Sequence, residues 1–131
     1  MADPAIDPTA EQIALITGSS DSGPIVMVNL LRFKQDADGI DAGVSGAEAY
    51  GRYGAAVAPL LEKAGGRVLS TAVCEESIIG PEAREWDLVI LVEYPSREAF
   101  LGMVADPAYR EVVPHRSAGL ADSRLILSKS P

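Results

Sequence analysis

The sequence predicts an α+β domain in strand-helix-strand-strand-helix-strand order, with a four-stranded antiparallel sheet and two helices on one face. Three observations predict it. The runs PIVMVNLLRF (24–33) and WDLVILVEY (86–94) are nearly continuous hydrophobe rich in β-branched residues, as inner strands of a sheet are. Each is followed by a segment whose apolar residues recur at helical spacing, and Gly, Pro and Ser/Asp caps separate the runs.

Taken in order, Asp7-Pro8 or Thr9 can cap a short helix through Ile16, and TGSSDSG (17–23) reads as a linker, so residues 1–23 form an N-terminal helical arm. The main domain spans residues 24–131. Its first strand is Ile25 to Phe33. KQDADGIDAGVSG (34–46) is a long acidic, Gly-rich loop and a candidate lid. Ser45 with Glu48 makes a capping box for a helix carrying Ala49, Tyr53, Ala56, Leu60 and Ala64, kinked near Pro59 and stopped by Gly65-Gly66. Arg67 to Ile79 is the second strand, 80–85 a hairpin turn, and Trp86 to Tyr94 the third strand. Pro95-Ser96 opens a helix with Phe100, Met103 and Val104 on its apolar side. Asp106-Pro107 starts a second segment that Pro114 ends, and the last strand runs from about Ser123 to Ser128. This order is the split motif of the ferredoxin-like sandwich, in which right-handed crossovers put the first and third strands in the centre. Those are the two most apolar strands.

Composition narrows the class. A chain of 131 residues suits one domain, and 47% hydrophobic residues give it a core. A net charge of −8 repels phosphate backbones and anionic lipid, which argues against nucleic acid as a partner. Cys74 is the only cysteine, so no intrachain disulfide forms. The start MADPAIDPTAEQ is acidic and Pro-broken, unlike a signal peptide, and no apolar run reaches the ~20 residues of a membrane span. The expectation is a soluble, cytoplasmic protein without a membrane partner.

Alternation along the strands raises a further expectation. The first strand divides into Ile25, Met27, Asn29, Leu31 and Phe33 against Val26, Val28, Leu30 and Arg32; the third into Trp86, Leu88, Ile90, Val92 and Tyr94 against Asp87, Val89, Leu91 and Glu93. Neither has a solvated face. Two helices cover one side only, leaving roughly 400 Å² of apolar sheet on the other, which predicts a two-fold homodimer joined sheet to sheet. In the register that sets Asn29 beside Ile90, Arg32 lies across from Asp87 and is expected to pair with it.

PIVMVNLLRF, AYxxY at 49–53, GGRVL at 65–69, WDLVILVEYPSREAF at 86–100, DPAYR at 106–110 and HRSAGLADSRLI at 115–126 together resemble the domain-of-unknown-function family 1330 of the dimeric α/β barrel superfamily. The resemblance spans roughly residues 24–128. It implies a ferredoxin-like fold dimerised into a barrel, and no reaction comes with it.

The expected site lies between sheet and helices. Asn29 is an amide inside an apolar strand, and it binds either the structure or a ligand. His115, the only histidine, and Arg116 are the other candidate catalytic groups. Trp86, Phe33, Tyr53 and Arg32 are candidate substrate contacts. One histidine excludes a multi-histidine metal site, so neither metal nor cofactor is expected. Similar barrels include cofactor-free oxygenases, muconolactone-type isomerases and haem-degrading enzymes; Asn29, Trp86 and His115 echo the Asn, Trp and His set of the last. Three readings stay open: a cofactor-free small-molecule enzyme, a binding module for a hydrophobic anion, and a haem protein.

Overall fold

The structure, a computed structural model, describes residues 3–131. Helix α1 (Ala10–Thr17) precedes β1 (Ile25–Phe33), α2 (Gly46–Lys63), β2 (Arg67–Val73), β3 (Leu88–Tyr94), α3 (Arg97–Ala105), α4 (Pro107–Gly119) and β4 (Leu120–Ser128). The sheet is antiparallel in the order β2-β3-β1-β4, with β1 and β3 central, which is the ferredoxin-like arrangement. The register sets Asn29 against Ile90 on β3 and against Leu125 on β4. Ile25, Met27 and Leu31 are buried on the helix side, and Phe100 and Met103 of α3 form one core cluster with Ile25, Met27, Val92 and Tyr94. The alternate set Val26, Val28 and Leu30 is only half-buried on the far side.

Caps fix the helix starts. Thr9 and Gln12 form a reciprocal box at α1, Ser45 Oγ accepts from Glu48 N at α2, Ser96 Oγ accepts from Ala99 N at α3, and Asp106 accepts from Ala108 N at α4. Helices α2 and α4 approach closely where α2 begins and α4 ends. A Cβ on Gly46 would lie 2.7 Å from Gly119 O, and one on Gly119 would lie 2.5 Å from Gly46 O, so side chains are excluded at both.

Four expectations need correction. Pro114 does not end a helix: α4 continues to Gly119, because a mid-helix proline removes one N–H while tertiary packing on α2 holds the rest. Strand β2 stops at Val73. Continuing its register, in which Val73 faces Leu88, would oppose Glu76 to Glu85, and like charges across a ladder destabilise it. Residues 75–85 are therefore exposed and irregular. Arg32 pairs with Asp122 on β4 at 3.6 Å, while Asp87 takes Arg84 at 3.1 Å and accepts from Phe33 N. The loop 34–46 is no lid. Asp41 within it is buried and tied to α2 and α4, and Ala37 and Asp38 donate backbone hydrogen bonds to Val44 and Ala118.

Candidate functional site

A cavity of about 950 Å³ lies between the helix-side face of the sheet and the helices, and N-terminal residues from Ala5 to Ser19, the segment expected as an arm, border it. Periodicity explains which side chains reach it. From the sheet come Met27 and Asn29, one parity of β1, with Ile90, Val92 and Tyr94 of β3. Helix α2 offers Tyr50, Tyr53, Val57 and Leu61, at spacings of three and four that share one face. Helix α4 offers Tyr109, Val113 and Arg116 in the same way. From the arm come Ile6, Pro8, Ile13 and Ile16.

The arm is held over this space by polar ties. Ala5 N donates to Asp122 Oδ1 at 2.9 Å, Ser123 Oγ donates to Ala5 O at 2.7 Å, and the Arg116 guanidinium donates to Ile6 O. Burial alone would raise the Asp122 carboxyl; hydrogen bonds from Ala5 N, Arg124 and Ser123 N outweigh it and hold the group below the usual carboxylate range.

Three of the seven residues expected at the site line the cavity: Asn29, Tyr53 and Arg116. Asn29 Nδ2 donates to Ile90 O at 3.2 Å and Met27 O at 3.4 Å, while its Oδ1 makes no hydrogen bond among the described residues. The Tyr53 and Tyr109 hydroxyls are 3.0 Å apart, and the Tyr50 and Tyr53 rings are 5.3 Å apart. Burial pushes the Tyr50 phenol up to about 12 and raises Tyr53 and Tyr94 as well, so at neutral pH these groups are O–H donors rather than phenolates. Arg116 is 9% exposed, and its second contact is Ser123 Oγ at 3.4 Å.

The other four lie elsewhere. His115 is in α4, not in a loop, but about 100° around the helix from Arg116, and its Nδ1 meets Asp41 Oδ2 at 2.7 Å. Trp86 lies under the Arg124 guanidinium, 5.2 Å from ring centroid to Cζ. Phe33 stacks obliquely on Tyr50 at 5.5 Å, and Arg32 is occupied by Asp122. Sequence reasoning missed Arg97 and the place of the N-terminal residues on the cavity wall. The α2 and α4 spacings signalled the tyrosines, whereas no local pattern signals Arg97, because its burial depends on α1 and the linker passing over α3.

The chemistry of the lining is narrow. It supplies guanidinium, phenol, amide and serine hydroxyl groups on an apolar ground but no imidazole, thiol or amine, and its one carboxylate, Asp7, is exposed. Among the described residues no three His, Cys, Asp or Glu side chains gather to hold a metal ion, and no helix is long and apolar enough to cross a membrane.

The family model for a domain of unknown function, DUF1330, matches residues 40–129. The crystal structure of RPA0582 from Rhodopseudomonas palustris, described as a protein of unknown function, is similar over 98% of both chains, with 44% identity and a TM-score of 0.92. Methylated RPA0582 gives 43% identity over 99% of this chain and 97% of that one, with a TM-score of 0.91. A dabb family protein with a ferredoxin-like fold from Mesorhizobium loti gives 13% identity over 83% of this chain and 98% of that one, with a TM-score of 0.49. No curated protein matches the chain.

Proposed function

Because this chain belongs to the domain-of-unknown-function family DUF1330, whose description assigns no activity, we propose a function from the cavity itself: it binds a small apolar anion, a carboxylate or ionised phenol, whose charge lies at Arg116. One observation carries this. Of the eleven basic side chains, only Arg110 and Arg116 form no ion pair with a carboxylate among the described residues, and Arg110 is exposed whereas Arg116 is buried on the cavity wall. A buried guanidinium without a counter-charge costs several kcal/mol, and an anionic oxygen arriving beside it recovers much of that through short charge-assisted hydrogen bonds. The hydroxyls of Tyr50, Tyr53 and Tyr109 add polar contacts, and Met27, Val92, Phe100 and Met103 receive the apolar body.

Binding is favoured over acid–base catalysis because the lining lacks a group that exchanges protons near neutrality. Turnover without a cofactor is the second reading. It rests on Asn29 Oδ1, an unengaged acceptor that, with Arg116, can polarise a bound hydroxyl or carbonyl compound. A haem fits poorly: neither His115 nor Trp86 lines the cavity. Hemin titration with a Soret shift that His115→Ala abolishes would reverse that conclusion.

The test of binding is calorimetric titration with dodecanoate. Wild-type protein is expected to bind in the micromolar range, and Arg116→Gln at least tenfold more weakly, the loss of a charged hydrogen bond being worth about 1.5–3 kcal/mol. Equal affinity for both proteins would remove Arg116 from the site and the proposal with it. Consumption of any compound in a substrate screen would establish the second reading.

A further inference from the structure

Arg97 is the second buried guanidinium on this cavity. It occupies the first position of α3, is 8% exposed, and lines the same space as Arg116. Its only ion pair among the described residues is a loose one, Nη2 to Asp21 Oδ2 at 3.8 Å. That carboxylate is itself half exposed and shared with Lys129 at 3.5 Å. Its Nη1 is a buried donor with no hydrogen-bond partner among the described residues. Buried polar groups are nearly always satisfied, so an orphaned guanidinium nitrogen at the wall of an apolar cavity marks a place for an acceptor the chain does not supply.

The two arginines belong to opposite ends of the cavity. Arg97 follows Tyr94, the residue that pairs with Ile25 at the start of β1; Arg116 touches Ser123, which pairs with Leu31 near its end. From Ile25 to Leu31 is six residue steps, ~20 Å along the strand. Between these ends the wall is Met27, Ile90 and Val92 from the sheet and Phe100 and Met103 from α3, with the uncharged amide of Asn29 among them.

We infer that the natural ligand is an elongated apolar molecule carrying an acidic group at each end, one held by Arg116 and the other by Arg97. This rests on the anion-binding reading of Arg116 and narrows it from an apolar anion to an apolar dianion. Both guanidinium side chains offer paired N–H donors suited to carboxylate, and the apolar wall between them penalises a charge placed midway. Asp21 is then displaced or shared when the second acid arrives, since its present contact is long and solvent-exposed.

Calorimetric titration with octanedioate, dodecanedioate and hexadecanedioate, beside dodecanoate, tests it. At least one diacid is expected to bind tenfold or more tighter than dodecanoate, with affinity peaking at one chain length. Arg97→Gln is expected to bring the diacid-to-monoacid ratio near unity. A wild-type ratio near one at every length, or an Arg97→Gln variant that keeps the full ratio, overturns the inference while leaving the monoacid site intact. Failure of wild-type protein to bind dodecanoate and every diacid overturns both readings. Should Arg97→Gln not fold, the ratio and length optimum of the wild type still decide.

Discussion

At Asp41, a carboxylate with 1% of its surface exposed receives Arg52 Nη1 at 2.6 Å and His115 Nδ1 at 2.7 Å. Burial alone would raise this carboxyl; the hydrogen bonds to His115 and Arg52 outweigh it, and the group titrates below the usual carboxylate range. Asp122 behaves alike. Since the unfolded carboxyls, near ~3.9, bind protons more readily than the folded ones, the stability they lend is fully present above that value and is lost as pH falls through the lower folded values. Thermal melts are therefore expected to be flat in this respect above about pH 5 and to drop below about pH 4. Asp41→Asn should lower the melting temperature at neutral pH and flatten the acid limb. An acid limb of unchanged steepness would exclude Asp41 as its origin. Nothing in the sequence separates Asp41 from Asp36 and Asp38 in the same acidic loop, because its role comes from helices α2 and α4 closing on it. The same holds for His115 and Arg116, neighbours in the chain that a helix turns to different surroundings.

Among the elements, α1 is the least anchored. It buries no residue, packs chiefly on α3, and follows a segment tied down by the hydrogen bonds of Ala5 and Ile6. Few buried contacts mean a low cost of local opening. Amide exchange in residues 10–17 is expected to be faster than in α2 and α4 and to slow severalfold when dodecanoate is bound, since the arm borders the cavity. Exchange in α1 that the ligand leaves unchanged would argue that entry does not pass the arm. The arm's helix was legible from Thr9 and its cap, but its position was not. Element existence was readable from periodicity, whereas ends that depend on cross-strand partners were not, as the early stop of β2 and the continuation of α4 past Pro114 illustrate.

For the whole molecule, the helices cover one face of the sheet and the far face stays apolar. Val28 pairs with Leu91 on one side and Ile126 on the other; Ile126 is 50% exposed, and Val26, Leu30 and Val89 extend the patch. A two-fold dimer through this face is the corresponding proposal, because a contiguous apolar surface of that kind is costly to leave in water. Sedimentation at micromolar concentration should give twice the chain mass, and Val28→Asp should give single chains with the cavity and its ligand affinity retained. A wild-type monomer would defeat the proposal.

What the sequence determined by itself is the order of elements, the centrality of β1 and β3, the two strand faces and the caps, since each is written in local spacing and residue type. The tertiary structure alone decided which of the marked polar residues share a cavity, that Arg97 joins them, and that His115 serves Asp41 instead. Burial and pairing of a charge depend on segments distant in the chain, and no local pattern carries that information.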